Sequence, residues 1–507
     1  MKRIGLNLTT LPLPQTPLFP DLVDQLVQEC IDSKVRINKI SKDSADKRYK
    51  HCHIVLQGLY QVWCCMSSSA RLNVFLSPQY YHASKLGKIN HLTQYFIQET
   101  IEALYALGWI EVQEGLRLNV EETLPTRLHA TGELLDYFNK KGLIWTNYSV
   151  PLESVVLKDY DRENKESFQV RVPKTPIVRK MNANLRKINE HLNQQAICLH
   201  ISNDNLKSLA ARMSQPKYRS EWHRTYTEEY GKLLNFNQRL LRRIFARGKL
   251  DHGGRFYGGW WQFIPSEFRP YITINGLATT EIDFSELHPR LLYAKVNKLP
   301  PEGDLYDIGL HPNGQEYDKT KEPYTTQRRI VKEAFNALLN DESGRYQVHK
   351  KDLTILGITY KELKNLIVKR HPPLKDHVGK GVGLTFQFID SQIAERVMLK
   401  LIDKEITCLP VHDSFIVPSH QWRELKDAMD KAFSEIISGS VAKLKPPTKF
   451  ESDFRMEFLP NGELDRDALY KMHGEALHNK YLQSRRVIID GRAIRSNRGT
   501  HSPSTPI

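Results

Sequence analysis

"LPVHDSFIVP", Leu409–Pro418, sets a histidine and an aspartate side by side between two apolar runs. Leu409 and Val411 before the pair, and Phe415, Ile416 and Val417 after it, predict two short strands joined at His412-Asp413. A plain turn would account for this much, because Asp413 and Ser414 both bond their own backbone readily in tight turns. The question is what else the chain can bring to the tip of that hairpin.

A second aspartate is available in "TTEIDFSELHPRLLYA". Ile282 and Phe284 flank Asp283, so Asp283 can end a strand, and Leu287, Leu291 and Leu292 continue as a helical stripe. A strand end and a hairpin tip can meet in one sheet. Two fixed aspartates can hold two divalent ions about 4 Å apart. Magnesium suits such hard oxygen ligands together with substrate phosphates. Between the two lies "TTQRRIVKEAFNALLND", a predicted helix starting near Thr325 or Thr326. Arg328 and Lys332 are four residues apart, so they share one face. A forked Arg with a point-charge Lys can grip a triphosphate, although an ordinary exposed basic helix has the same pattern.

The rest of the chain bounds the reading. Its 507 residues predict about two to four domains. The formal net charge of +15 favours a polyanionic partner, although solubility alone can also explain it. No stretch approaches the roughly 18 apolar residues of a membrane helix, and Met1 to Leu11 has no signal-peptide character. The six cysteines, Cys30, Cys52, Cys64, Cys65, Cys198 and Cys408, form no C-x-x-C pair, which fits reduced thiols in the cytoplasm. The His51-Cys52-His53 run lacks further partners at ligand spacing and reads as incidental.

Five regions follow. Residues 1–79 are read as helical, with an extended proline-bearing start, a helix over Asp21 to Ile31 and a buried helix over His53 to Met66. Residues 80–158 are read as a winged-helix-like module. There Asn90 is a plausible cap, Gly108 ends a helix, and "WIEVQEGLRLNV" predicts a hairpin around Glu114-Gly115. Any helix-plus-hairpin unit has the same pattern. Residues 159–250 are read as a helical, thumb-like region entered through a charged linker or turn, Asp159 to Ser167. Within it "LLNFNQRLLRRIFARGKL" suits a helix that turns Arg239, Arg242, Arg243 and Arg247 to phosphates or to water. Residues 251–459 carry the mixed α/β pattern, and 460–507 read as a basic tail, partly disordered.

In order along the chain, an aspartate strand, an R-x-x-x-K helix and a His-Asp hairpin resemble motifs A, B and C of family A DNA polymerases and of the related phage-type single-subunit RNA polymerases. "DFSELHPRLLYA" resembles motif A, "RRIVKEAFN" motif B and "VHDSF" motif C. "TFQFIDSQIAERVM" resembles the helix before motif C, and "GGRFYGGWWQ" the G-R-x-Y element of the RNA polymerases. The resemblance covers roughly Leu250 to Phe454. It implies an α+β, helix-rich right hand of palm, fingers and thumb. It also implies two Mg2+ ions on Asp283, the Phe284 carbonyl and Asp413, with the two aspartates catalytic. Arg328, Lys332, His288 and Asn336 would face the incoming nucleotide. Arg255, Arg290, Gln387 and His412 would face the nucleic acid.

Departures from the pattern bear on sugar choice. The DNA polymerases usually carry Glu where His288 stands, aromatic side chains where Asn336 and Asn340 stand, and Glu where Ser414 follows Asp413. The RNA polymerases have that Ser. No nuclease-like carboxylate set precedes Asp283, so no proofreading domain is expected. The expected partners are a DNA primer-template or RNA, nucleoside triphosphates and replication accessory proteins, with no membrane. The leading expectation is a DNA polymerase. An RNA polymerase or primase, template-independent tailing, and an inactive winged-helix nucleic-acid-binding protein remain alternatives.

Overall fold

Three sheets organise the described residues of the computed structural model, with helices packed between and around them. The structure describes residues 6–8, 19–32, 42–63, 71–76, 92–115, 125–141, 154–161, 163, 166–201, 205, 208–209, 212, 238–310, 322–341, 348–437 and 443–449. The 460–507 tail, Cys64 and Cys65 lie outside them. Among the described residues no helix is long and apolar enough to cross a membrane.

The first sheet has the order β1-β2-β4-β3, from β1 (Leu6–Asn7), β2 (Leu72–Val74), β3 (Ile110–Gln113) and β4 (Thr126–Ala130). Against it pack α1 (Pro20–Asp32), α2 (Lys42–Trp63), α3 (Gln94–Ala106) and α4 (Gly132–Lys141). Pro20 opens α1, where a missing N–H costs nothing. Leu107 caps α3, and Gly108 follows with φ +69°, the left-handed turn expected of it. The N-cap of α3 is Thr93, three residues past the expected Asn90. The hairpin also differs from expectation. β3 pairs with β4 at 126–130, with Gln113 opposite Arg127, and the return strand expected just after Gly115 lies outside the described residues. One core runs from Leu8 to Phe138 and crosses the boundary expected at 79/80, because β2 pairs with β4. The exposed face of α3 presents Tyr95, Gln98, Glu102 and Tyr105, with no arginine or lysine. His51 is used structurally. Its Nδ1 lies 2.6 Å from the Lys47 carbonyl, and its Nε2 accepts the Thr93 N–H at 3.0 Å.

The second sheet has the order β6-β5-β8-β9, from β5 (Val155–Asp161), β6 (Glu166–Val170), β8 (Arg242–Phe245) and β9 (Gly253–Tyr257). The charged run Asp159 to Ser167 therefore lies in a hairpin, the turn of the two expectations and not the linker, with Asp161 opposite Glu166 across it. α5 (Pro176–Asn193) starts on a Thr175 side-chain cap with Pro176 at its first position. The chain then enters the third sheet as β7 (Ile197–Leu199).

The basic stretch predicted to be a helix facing phosphates is a strand at Arg242–Phe245, and two of its arginines are buried. Arg239 donates to the Gln195 carbonyl at 2.8 Å. Arg243 donates to the Gly254 carbonyl and to Ser391 Oγ, both at 2.9 Å, and pairs with Glu395 at 3.1 Å. Its guanidinium lies over the rings of Phe245 and Phe256. Helical periodicity took two inward-facing arginines for a face turned to phosphates or to water. A guanidinium left in such a place must find acceptors, and Arg243 finds them on β9 and on a neighbouring helix that carries Ser391 and Glu395.

The third sheet has the order β12-β13-β11-β10-β7, with β10 (Ile272–Ile274), β11 (Leu277–Asp283), β12 (Leu409–Val411) and β13 (Ser414–Pro418). The helices α6 (Leu287–Lys295), α7 (Tyr324–Asn340), α8 (Lys350–Leu356), α9 (Tyr360–Arg370), α10 (Gly383–Ile402) and α11 (Trp422–Ile436) complete this part. One core joins it, from Leu185 on α5 to Phe433 on α11. α5 thus belongs to the same core as the third sheet, although it was expected in a separate thumb-like region. Gly383 lets α10 begin hard against α7, since a Cβ there would fall 2.0 Å from Asn340 Oδ1. "WWQ" seats the hairpin, because Trp261 Nε1 and Gln262 Nε2 both donate to the Pro410 carbonyl, at 3.0 and 2.9 Å.

Arg243→Ala should lower the stability of this part by about 3 kcal/mol or more, because it strands Glu395 and two further acceptors around a vacated site. A shift of the denaturant midpoint would measure it. An unchanged midpoint would show that the buried guanidinium contributes nothing net.

Candidate active site

β11 and the β12–β13 hairpin run antiparallel, and their register places Asp283 opposite Ser414. Val411 also pairs with Ser414, so His412 and Asp413 are the two residues of a tight turn. The Phe284 N–H then donates to the Asp413 carbonyl at 3.2 Å. The two aspartates therefore sit at adjacent strand ends of one sheet. The backbone is strained on both sides of them. His412 has φ +60° and Glu286 has φ +60°, in the left-handed region that costs a non-glycine residue roughly 1 kcal/mol. Such strain gathers where a site fixes side-chain direction.

Electrostatics separates the two carboxyls. Burial and the neighbouring Asp413 charge push Asp283 up to about 6. Burial also pushes Asp413 up, but the Arg255 guanidinium, His288, His412 and a backbone hydrogen bond together outweigh it and hold Asp413 below the usual carboxylate range. Arg255, on β9, pairs with buried Asp390 of α10 at 2.6 Å. Asp390 in turn is pushed up to about 6 by its burial. Arg255 was expected to touch a template strand. The structure gives it a partner inside the site and makes it the counter-charge between two acids.

Asp283 has one oxygen engaged and one idle. Oδ2 takes the Lys445 ammonium, and Oδ1 is buried with no hydrogen-bond partner. Two hard-oxygen carboxylates with an unsatisfied buried oxygen fit a divalent cation such as Mg2+. Among the described residues no group of three or more His, Cys, Asp or Glu is placed to hold a metal. Phe284 is buried, with its ring against Phe415 and Phe433. Its side chain thus anchors the strand end on the core.

α7 brings its cations to the same end of the sheet in two states. Arg328 is held, with Nε 2.5 Å from Asp304 Oδ2 and its guanidinium over the Tyr306 ring. Tyr324 donates its hydroxyl to the same Asp304 oxygen at 3.1 Å. Lys332 is exposed, one turn on, and its charge acts on both Asp283 and His288. His288 lies 3.1 Å from Asn336 Oδ1 through its Nδ1, which ties α6 to α7. Burial, and then the Arg255 charge, depress His288 to about 4, so it is neutral at pH 7.

The remaining residues divide. Gln387 is buried on α10 with Oε1 lacking a hydrogen-bond partner, an acceptor available at the site. His412 is half-buried, its ring edge-on to Tyr257. Arg290, expected to face nucleic acid, is committed to Glu286 at 3.0 Å, one turn away on its own helix. Glu286 is a buried hub that also accepts the Leu305 N–H at 3.0 Å and Lys443 at 2.9 Å. Sequence reasoning missed Asp390, Asp304, Glu286 and Lys445. Asp390 carried a signal, since it follows Gln387 by three residues and so shares its helix face. Lys445, in "KLKPPTK", carried none.

No protein-family model matches this chain, and no curated protein matches it either.

The raised Asp283 carboxyl yields a signed expectation. Its folded form binds a proton more tightly than the unfolded chain does, so ionisation costs stability as pH rises from about 4 to 6, and the cost is constant above that. Metal-free Asp283→Asn should therefore be more stable than the natural chain at pH 8, by on the order of 1 kcal/mol. The gain should shrink between pH 6 and pH 4. Denaturant titrations in a chelator at three pH values measure it, and a loss of stability at pH 8 would refute the assignment.

Proposed function

We propose that this chain is a template-directed nucleotidyltransferase, a DNA polymerase of family A type without a proofreading nuclease, that extends a 3′-hydroxyl. The observation that carries this reading is the juxtaposition of Asp283 and Asp413 at neighbouring strand ends, with one carboxylate oxygen unsatisfied. In this reading the third sheet is the palm and α7 belongs to the fingers.

Asp283 and Asp413 would hold two Mg2+ ions, which when bound supply Lewis-acid activation of the 3′-hydroxyl and charge compensation for the triphosphate. Arg255 keeps Asp413 ionised and ready to ligate. Lys332, exposed beside Asp283, meets the phosphates as a mobile point charge. Arg328 is oriented for the same anion by Asp304 and Tyr306. The neutral His288, braced by Asn336, lies where the sugar of the incoming nucleotide would rest. Gln387 offers its unsatisfied Oε1 to the end of the primer-template duplex. Duplex contact is not assigned to α3, whose exposed face carries no cation.

A second reading, RNA polymerase or primase, is favoured by His288 and Ser414. A neutral imidazole replaces the carboxylate gate against a 2′-hydroxyl, and Ser414 spends its hydroxyl on Glu281 Oε1 at 2.5 Å.

Extension of a labelled primer-template with Mg2+, run in parallel with dNTPs and NTPs, tests both. Incorporation should fall by about a thousandfold or more in Asp413→Ala, equivalent to about 4 kcal/mol of transition-state stabilisation. Extension with dNTPs alone supports the first reading. Extension with NTPs, or unprimed synthesis, supports the second. Absence of incorporation by the natural chain on every template would refute both.

A further inference from the structure

Residues 443–449 form a strap along the edge of β11 that β13 leaves open. The Ser285 N–H donates to the Lys443 carbonyl at 2.7 Å, and the Lys445 N–H to the Asp283 carbonyl at 2.9 Å. Leu444 bridges Phe284 in antiparallel fashion. Thr448 closes the far end. Its N–H reaches the Glu281 carbonyl at 3.1 Å, its hydroxyl accepts the Glu281 N–H at 2.8 Å, and its carbonyl accepts from Thr280 Oγ1 at 2.7 Å. Pro446 and Pro447 lie between these anchors and have no N–H to donate. The strap is thus fixed by its backbone on both sides of Lys445, and the lysine's position does not depend on its own ion pair.

That backbone delivers an ammonium to Asp283 Oδ2. Lys443, two residues earlier, goes instead to Glu286. An ammonium and a divalent metal cannot both occupy the same oxygen lone pair. We infer that Lys445 is a tethered competitor: its ammonium holds Asp283 Oδ2 when no metal is bound, leaves only Oδ1 to a divalent cation, and must be displaced for the cation to use both oxygens. This rests on the metal-binding reading of Asp283 and Asp413. A half-exposed ion pair contributes little in water, roughly 0.2–1 kcal/mol, so the competition is mild and the ammonium is easily displaced.

The test is Mn2+ binding to the full chain without nucleotide, followed by electron paramagnetic resonance of the free ion. Lys445→Met should tighten Mn2+ binding by about three- to fivefold, and Lys445→Arg should stay near the natural chain. Lys443→Met removes an equal charge from the same strap without touching Asp283, so its affinity should change by less than the Lys445→Met effect. Equal affinities for the natural chain and Lys445→Met would overturn the inference, as would equal tightening by the two methionine variants. Asp413→Ala separates this from the underlying reading. If the natural chain binds no Mn2+ in an Asp413-dependent way, the metal-site reading fails with it. If it does and Lys445→Met is unaltered, only the lysine's role fails.

Discussion

Two carboxylates placed side by side at the ends of adjacent strands repel each other, and burial magnifies that repulsion. Much of the local architecture is an answer to this one constraint. Arg255 reaches in from the second sheet and favours ionisation of Asp413. Lys445 reaches in from the strap and partly offsets the burial of Asp283. Asp390 anchors Arg255 from the helix behind. These three groups come from three separate segments of the chain, so the site exists only when both sheets, α10 and the strap are assembled. Elements that look like independent modules in one dimension are bound together by a charge balance in three.

The same logic explains which parts could be read in advance. The end of β11 at Asp283, the tight turn at His412-Asp413 and the helix carrying Arg328 and Lys332 were legible, because each is a local pattern of apolar spacing broken by an ionisable residue. The ending of α3 at Gly108 was legible for the same kind of reason. What failed was the partner of each long charged side chain. Arg243 and Arg290 look like surface cations in a linear pattern, but they are spent on Glu395 and Glu286. Arg255 was expected at a template, and its partner within the chain, Asp390, was not foreseen. Periodicity reports which way a residue faces and not what waits there. The stretch around Arg243 also had enough apolar residues at helical spacing to hide a strand whose alternation lasts only four residues.

Domain divisions drawn along the chain fared similarly. Composition shifts suggested cuts at 79/80 and 158/159. The first falls between β2 and β4, which share a sheet, and the second falls inside β5. A cut read from sequence is sound only where no strand pairing crosses it, and strand pairing is non-local.

The two prolines of the strap have an effect beyond the site. A strand laid on the open edge of a sheet ordinarily presents a fresh row of donors and acceptors to its other side, and another copy of the chain can add to it. Pro446 and Pro447 carry no N–H, so the middle of the strap offers no backbone donor to an added strand. The sheet gains a cover without gaining a new adhesive edge. A protein that keeps buried charge at the end of such a sheet is thereby protected there from strand-by-strand association, and the chemistry of the proline ring does at the rim what closure into a barrel does elsewhere.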